Sequence, residues 1–369
     1  MANEKILYCA STMSHLQNFH QPYIQKLRNM GYQVVLCAEK ETEELPADGT
    51  KIIPFQKRMT SMKNLQNILQ IRKILKKEKF LAVSVHTTLA AAIVRAAILL
   101  LPRAKRPKVF YICHGYLFHD GDSLGKWKYL LPEKLCASVT DVLMVMNRED
   151  CQIAEKHRLY REKLFLIPGM GVEFRRFDLP QSKAELRQQY GIAAEEVLFV
   201  FAGEFSERKN QQMLVSAFAR VAGQMPKAKL ILAGEGALQE ACRQQAAQLG
   251  ITEQIQFPGH VKKMPVLYHC CDVCISASRI EGLPFNIMEA MYCELPCIAS
   301  KIKGHEDLLH HRRTGYLYET EAELAAYMVQ MYQDSTLRKQ LGQNARQDVM
   351  AYGLDNVQTV IMQVYEENL

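Results

Sequence analysis

Glu281 and Glu289 stand with seven residues between them, in a stretch that runs from Ser276 to Met291. An apolar run precedes it, a tight loop follows, and Pro284 opens a helix. Glu281 falls in the loop, and Glu289 about a turn and a half into the helix. The first N–H groups of a helix have no partner within it, and here they point back at the loop. Such a mouth can hold an anion, with a carboxylate on either side for hydroxyl groups. A phosphate joined to sugars uses all of these features at once.

Other residues offer compatible chemistry. Gly203–Asn210 places Arg208 and Lys209 just before a helix. Cations are disfavoured at a helix N-terminus unless an anion joins them, so the pair suggests an anionic ligand. His114 precedes Gly115 at a strand end, where an imidazole can meet a sugar hydroxyl or shield a developing charge. His15, His86 and His119 compete for similar work. Asp120-Gly-Asp122 has the form of a metal-binding pair, but it sits in a polar turn, the commoner use of these residues. Cys271 and Cys274 have no second pair to complete a zinc site. The expectation is no metal.

The elements that carry these groups alternate strand and helix throughout. Strands are expected at 5–10, 33–38, 51–55, 81–85, 108–113, 141–146 and 163–167, with helices between them, one of them running from after His15 to about Met30. A Gly- and Pro-rich stretch, Pro168–Pro180, reads as a linker. A second set follows, with strands at 197–202, 229–233, 254–257, 273–276 and 296–299. Repeated βαβ units imply parallel sheets with ligands at the C-terminal strand ends. The fold class is therefore α/β: two doubly wound, Rossmann-like domains facing across a cleft. The boundaries are 1–172, 173–350, and a final helix over 351–369. Neither domain carries Gly-x-Gly-x-x-Gly after its first strand, and Gly234-Glu-Gly236 lacks a third glycine. This excludes a dinucleotide cofactor.

The 369 residues suit two domains, and the eleven cysteines are scattered singly, as free thiols are in a reducing compartment. The N-terminus has no signal-peptide layout, and the most apolar helix is too short to span a bilayer and carries Arg95. The expected location is the cytosol. Residues 1–172 hold 26 Lys and Arg against 15 Asp and Glu, while the remainder holds 20 against 24. The excess lies in Lys57-Arg58, in Arg72–Lys79 and in Arg103–Lys108. No stacking aromatics or nucleic-acid motif accompany it, so nucleic acid is not expected. An anionic membrane surface fits a helix over 61–77 with Leu65, Ile68, Leu69, Ile71, Ile74 and Leu75 on one stripe and Lys63, Arg72, Lys73, Lys76 and Lys77 on the other. A plain solvated face fits it too.

Taken together, the pattern resembles the retaining family-4 glycosyltransferases, which have the GT-B fold. Glu281 to Glu289 is similar to their Glu-x7-Glu signature. His114-Gly115 resembles the segment of their active-site histidine, Pro168–Val172 their interdomain link, and Gly203–Asn210 their phosphate-binding loop. Gly234-Glu-Gly236 resembles the next strand end, and Pro258-Gly-His260-Val261 the base-binding turn. The segments occur in family order over nearly the whole chain. Gly203-Glu204, where many members have Gly-Arg, and the glycine-free loop Ser11–His15 resemble a bacterial subgroup building capsule or exopolysaccharide.

The resemblance implies a hexosyltransferase-type reaction from a nucleotide diphosphate sugar, by family frequency a UDP-sugar. It implies retained configuration, no metal and no other cofactor. The acceptor would be a glycan, on polyprenyl diphosphate at the inner face of the cytoplasmic membrane. Lys209, helped by Arg208, would stabilise the leaving diphosphate. Gly203, Leu283, Phe285 and Asn286 would meet the donor phosphate and sugar. Glu281 would bind the sugar and Glu289 the ribose, with His260 and Val261 at the base. His114 would sit at the reacting sugar, and His15, His86 and Tyr116 on the acceptor side. The final helix would cross back to the first domain. A nucleotide-sugar 2-epimerase of the same fold and a non-catalytic sugar-nucleotide-binding subunit are the alternatives.

Overall fold

The computed structural model describes residues 4–42, 44–56 and 61–369. Lys57 and Arg58 of the basic stretch lie outside the described residues. The chain forms two compact units. One runs to Gly171 and takes in Asp355–Leu369, and the other is Val172–Leu354.

The first unit is built on seven parallel strands: β1 (Lys5–Cys9), β2 (Gln33–Ala38), β3 (Thr50–Ile52), β4 (Ala82–His86), β5 (Lys108–Cys113), β6 (Val142–Val145) and β7 (Lys163–Leu166). Their order is β3-β2-β1-β4-β5-β6-β7. Central strands such as Ile6–Cys9 and Val109–Cys113 are buried along their length, because helices cover both faces of the sheet. The second unit holds β8 (Val197–Ala202), β9 (Ala228–Ala233), β10 (Ile255–Gly259), β11 (Val273–Ser276), β12 (Cys297–Ser300) and β13 (Gly315–Tyr318), in the order β10-β9-β8-β11-β12-β13. In each sheet the order reverses at one place, between β1 and β4 and between β8 and β11. Loops leaving the C-terminal ends of such strands part to opposite faces and open a crevice for ligand.

Several elements differ from expectation. The segment after β1 is helical already from Met13 and breaks into Met13–Phe19 and Gln21–Asn29 at His20. Pro22 lacks an N–H, so a continuous helix would lose a bond there, and the chain restarts with proline in the first turn. The helix Met62–Lys77 buries Asn64, Asn67, Ile71 and Leu75, while Leu65 and Leu69 are 54% and 59% exposed. The expected apolar stripe is thus buried at Ile71 and Leu75, with Ile68 and Ile74 packed against the core, but not at Leu65 and Leu69. Asn64 exchanges hydrogen bonds with the backbone of Gln56, and Asn67 donates to Pro54 O. These bonds tie the helix to the segment after β3 and turn Leu65 and Leu69 outward. Strand β13 is an addition to the expected set.

The helix Leu354–Glu366 buries Val357, Ile361, Val364 and Tyr365. Tyr365 stacks beside Phe110 of β5 and bonds Ser84 of β4 at 2.5 Å. Buried Arg95 lies over the Tyr111 ring and bonds both carboxylate oxygens of Glu133 at 2.9 and 3.0 Å. Among the described residues no helix is long and apolar enough to cross a membrane. All eleven cysteines are free thiols.

Candidate functional site

In the second unit the crevice lies where the loops after β8 and β11 meet. The N–H of Arg279 donates to the carbonyl of Arg208 at 2.8 Å, locking one loop to the other. This brings three charged side chains together. Lys209 Nζ lies 2.6 Å from Glu281 Oε1, and Arg208 Nη1 lies 3.1 Å from Glu281 Oε2. Glu281 is buried. Burial alone would raise its carboxyl, but Lys209, Arg208 and His305 hold it below the ordinary carboxylate value. The cluster carries two cations for one anion.

The helix Phe285–Tyr292 begins beside it, with Pro284 as N-cap. Asn286 donates to Ala202 O at 2.8 Å, which pins the helix mouth to the end of β8. Leu283 is buried and Phe285 half-buried in the same turn. Glu289 does not join the Glu281 cluster. Its carboxylate pairs with Arg176. Burial pushes Glu289 up, and Arg176 offsets this only in part.

Gly234 and Gly236 have a packing role. A Cβ on Gly234 would lie 2.1 Å from Gly203 O, and one on Gly236 would lie 2.4 Å from Phe205 O. The two glycines let the loop after β9 lie directly on the phosphate-loop candidate, with Phe205 N–H bonded to Glu235 O at 2.9 Å. Gly203 sits at the centre of that stack.

Residues 5–146 match the family model "Glycosyl transferase 4-like", and residues 182–348 match "Glycosyl transferases group 1". The chain belongs to the family-4 glycosyltransferases. EpsD of Bacillus subtilis, a protein described as a glycosyltransferase, is 29% identical over 356 residues, covering 95% of this chain and 93% of its own. The UDP-Gal:alpha-D-GlcNAc-diphosphoundecaprenol alpha-1,3-galactosyltransferase of Escherichia coli is 26% identical, covering 70% of this chain and 67% of its own. Among solved structures, sucrose-phosphate synthase from Thermosynechococcus elongatus aligns with a TM-score of 0.80 at 17% identity, over 99% of this chain and 98% of its own. Anabaena HepE in complex with UDP and glucose aligns at 0.77 and 18%, over 99% and 100%. The fold is GT-B.

In this glycosyltransferase His260 is exposed and Val261 half-buried, just past β10. The carbonyl of Gly259 accepts from Gly234 N–H, which places this turn beside the two-glycine loop. Sequence reasoning missed Arg176, which lies in the stretch read as a linker. It also missed His305. That ring is buried, donates through Nδ1 to Ser300 O (2.8 Å), and leaves Nε2 without a partner. Gly304 permits the approach: a Cβ there would meet Gly282 O at 2.6 Å and the Glu281 side chain at 3.2 Å. The signal was Gly304-His305 after the next strand, at the same end of the sheet.

The first unit collects histidines at its own crevice. His86 ends β4, His114 follows β5, His15 lies in the helix after β1, and His20 lies at the helix break. Ring centroids of His20 and His86 are 4.1 Å apart, of His15 and His114 4.7 Å, and of His15 and His20 5.0 Å. Burial keeps all four neutral, His15 at about 4 and the others well below the usual imidazole value. Sequence reasoning named three of them separately and missed His20. Two expected partners fall elsewhere. His119 pairs with Glu149 at 3.0 Å. Tyr116 is buried in the hydrophobic core, stacked on Phe118, so its ring cannot touch an acceptor. Asp120 is held by Lys156 and Lys126, consistent with its reading as turn chemistry.

Proposed function

We propose that this chain is a retaining glycosyltransferase that moves a sugar from a UDP-sugar to a glycan acceptor carried on polyprenyl diphosphate, in bacterial surface-polysaccharide synthesis. The observation that carries the reading is the cluster of Lys209, Arg208 and Glu281 beside the mouth of the helix Phe285–Tyr292. When the bond from the sugar C1 to the diphosphate breaks, the leaving group keeps the electron pair and gains charge. Lys209 and Arg208 stand where that charge forms, and the helix mouth adds oriented N–H groups. These groups suffice for the phosphates without a divalent ion. Glu281 takes hydroxyls of the transferred sugar, and Glu289 takes the ribose. His114 meets the reacting sugar, with His15 on the acceptor side, while His86, fully buried like Tyr116, cannot touch an acceptor. The E. coli relative is named for a UDP-sugar donor and a diphosphoundecaprenol acceptor, which supports both halves of the proposal.

The first unit also presents a surface suited to a lipid-linked acceptor at the inner face of the cytoplasmic membrane. A groove of about 380 Å³ is lined by Leu65, Ile68, Ala92, Leu131 and Leu135. Met62, Leu65, Leu69, Trp127, Leu131 and Leu135 are exposed around it, and so are Lys63, Lys128 and Lys134. An apolar patch with cations at its rim fits an anionic bilayer.

The test mixes UDP-sugars with polyprenyl-diphosphate glycan and follows release of UDP and the anomer of the product. Glu281→Ala and Lys209→Ala are expected to abolish release. Unchanged turnover in both overturns the site. Conversion of donor without acceptor would make the chain an epimerase, and UDP binding without turnover a non-catalytic subunit.

A further inference from the structure

Arg176 reaches Glu289 from a single helical turn, Phe174–Phe177, that is fastened to the helix carrying Glu289. Phe174 lies flat on Tyr292 of that helix, with ring centroids 4.4 Å apart and 1° between the planes. The Tyr292 hydroxyl donates to Asp178 Oδ1 at 2.8 Å. Phe177 is fully buried, and its carbonyl accepts from His269 Nε2 at 2.8 Å. Between these anchors the Arg176 guanidinium lies 4.8 Å over the Phe177 ring and bonds Glu289 Oε1. Among the described residues Glu289 Oε2 accepts no hydrogen bond. A cation is thus held against one oxygen of a buried carboxylate, and the other oxygen is left for a ligand.

We propose that Arg176 is a positioning residue for the nucleotide: it orients the Glu289 carboxylate and supplies its counter-charge, so that Glu289 tells a ribose from a 2′-deoxyribose. This role rests on the reading of Glu289 as the ribose acceptor. The two neighbouring hydroxyls of a ribose each bring a proton. An ionised carboxylate accepts both, whereas a carboxylic acid carries a proton of its own that opposes one of them. Arg176 takes one lone pair of Oε1 and leaves the second, together with both of Oε2. Hydrogen bonds to a charged acceptor are the stronger ones, so the state of this carboxylate sets what the 2′-hydroxyl contributes.

Among the described residues no second cation stands ready to replace it. Tyr268, Cys274 and Cys293 also face Glu289. Burial raises Tyr268 and takes Cys293 up to about 12, and the Cys297 thiol together with burial raises Cys274, so all three stay neutral. Arg346, on the neighbouring helix Ser335–Val349, is committed to the carbonyl of Tyr292 at 2.7 Å and lies over that ring. Asp178 answers its charge at 3.8 Å. Burial raises Glu289, and Arg176 is the charge that opposes it. Without Arg176 the carboxyl keeps its proton to higher pH, and buried carboxyls can reach about 8–9. The ribose contact is then lost on the acid side and regained on the alkaline side.

Calorimetry of UDP and 2′-deoxy-UDP on the full chain measures the effect. The two ligands share base and phosphates, so their affinity ratio isolates the hydroxyl and cancels phosphate ionisation. Wild type is expected to prefer UDP by about tenfold from about pH 6 to about pH 9. In Arg176→Ala the preference should vanish at about pH 6 and return at about pH 9. Arg176→Lys, which restores the charge, should keep most of it across the range. Glu289→Gln should lose it at every pH. A preference that survives Glu289→Gln, or is absent in wild type, overturns the ribose reading and this role with it. Loss in Glu289→Gln with Arg176→Ala unchanged at every pH overturns the role of Arg176 alone. So does a loss in Arg176→Ala that is equal at every pH and not restored by lysine, the mark of a purely structural contact. Circular dichroism checks folding, and Arg176→Gln takes the place of Arg176→Ala should the shorter side chain unfold the turn.

Discussion

Lys209 Nζ and Glu281 Oε1 are 2.6 Å apart in a place where both side chains are largely withdrawn from water. Arg208, at 3.1 Å from the other carboxylate oxygen, is more exposed. Removal of one member of a buried pair leaves the other without compensation. Glu281→Ala is therefore expected to destabilise the second unit by about 3 kcal/mol. Lys209→Met is expected to cost less, because Arg208 still faces the carboxylate. Urea unfolding of the two variants measures the difference, and equal losses would count against this ordering.

Glu289 gives a pH-dependent prediction. Burial raises its carboxyl above the ordinary 4.5, and Arg176 restores only part of the loss. The unfolded carboxyl ionises near 4.5, while the folded one holds its proton longer. The stability this contributes is complete below pH 4.5 and is lost as pH rises through the raised value. Glu289→Gln removes the effect. Its melting temperature at pH 7 should be no lower than that of wild type, and its profile above pH 4.5 flatter. Affinity for UDP should fall by about tenfold, since a charged acceptor for the ribose is gone. A steeper profile in the variant would reverse the assigned sign.

Gly234→Ala tests the stacking of the two loops. The added methyl would meet Gly203 O at 2.1 Å, in a backbone conformation with φ of 134°. Strain and displacement together should cost at least about 3 kcal/mol. Gly250→Ala, also at positive φ but with open space around its Cβ, should cost about 1 kcal/mol. Thermal melts of the pair separate crowding from conformation.

The exposed leucines test the lipid-facing surface. Leu65→Ser with Leu69→Ser should change stability by no more than about 1 kcal/mol, because both side chains are mostly in solvent. The same pair should lower sedimentation with anionic vesicles. Partitioning equal to that of wild type would leave the patch without a bilayer partner.

Much of the fold and of the second-unit site was legible because it depends on local order. Strand–helix alternation fixes parallel sheets, and Arg208, Lys209 and Glu281 each announce themselves by charge at a strand end. What was hidden depends on distance. Arg176 meets Glu289 across 113 positions, and nothing near Arg176 marks it. His20 follows an ordinary helical pattern, and only the break before Pro22 turns it inward. Strand β13 spans four residues, too short to show a period of two. Its Gly315 allows β12 and β13 to approach, since a Cβ would meet Cys297 O at 1.9 Å. Asn64 and Asn67 took the buried places of Leu65 and Leu69 in the first turns of their helix, because buried backbone groups after β3 needed partners more than two leucines needed cover.

The passage of Asp355–Leu369 into the first unit has a consequence for synthesis. All of Val172–Leu354 is made before the helix that carries Tyr365. Until that helix emerges, the hydroxyl of Ser84 lacks its Tyr365 partner, and the face of β5 around Phe110 lacks its cover. The second unit can fold on the ribosome as its residues emerge. The first, although translated first, is completed last. A stop codon at position 355 would therefore leave Val172–Leu354 whole and damage the part of the protein farthest from it in sequence.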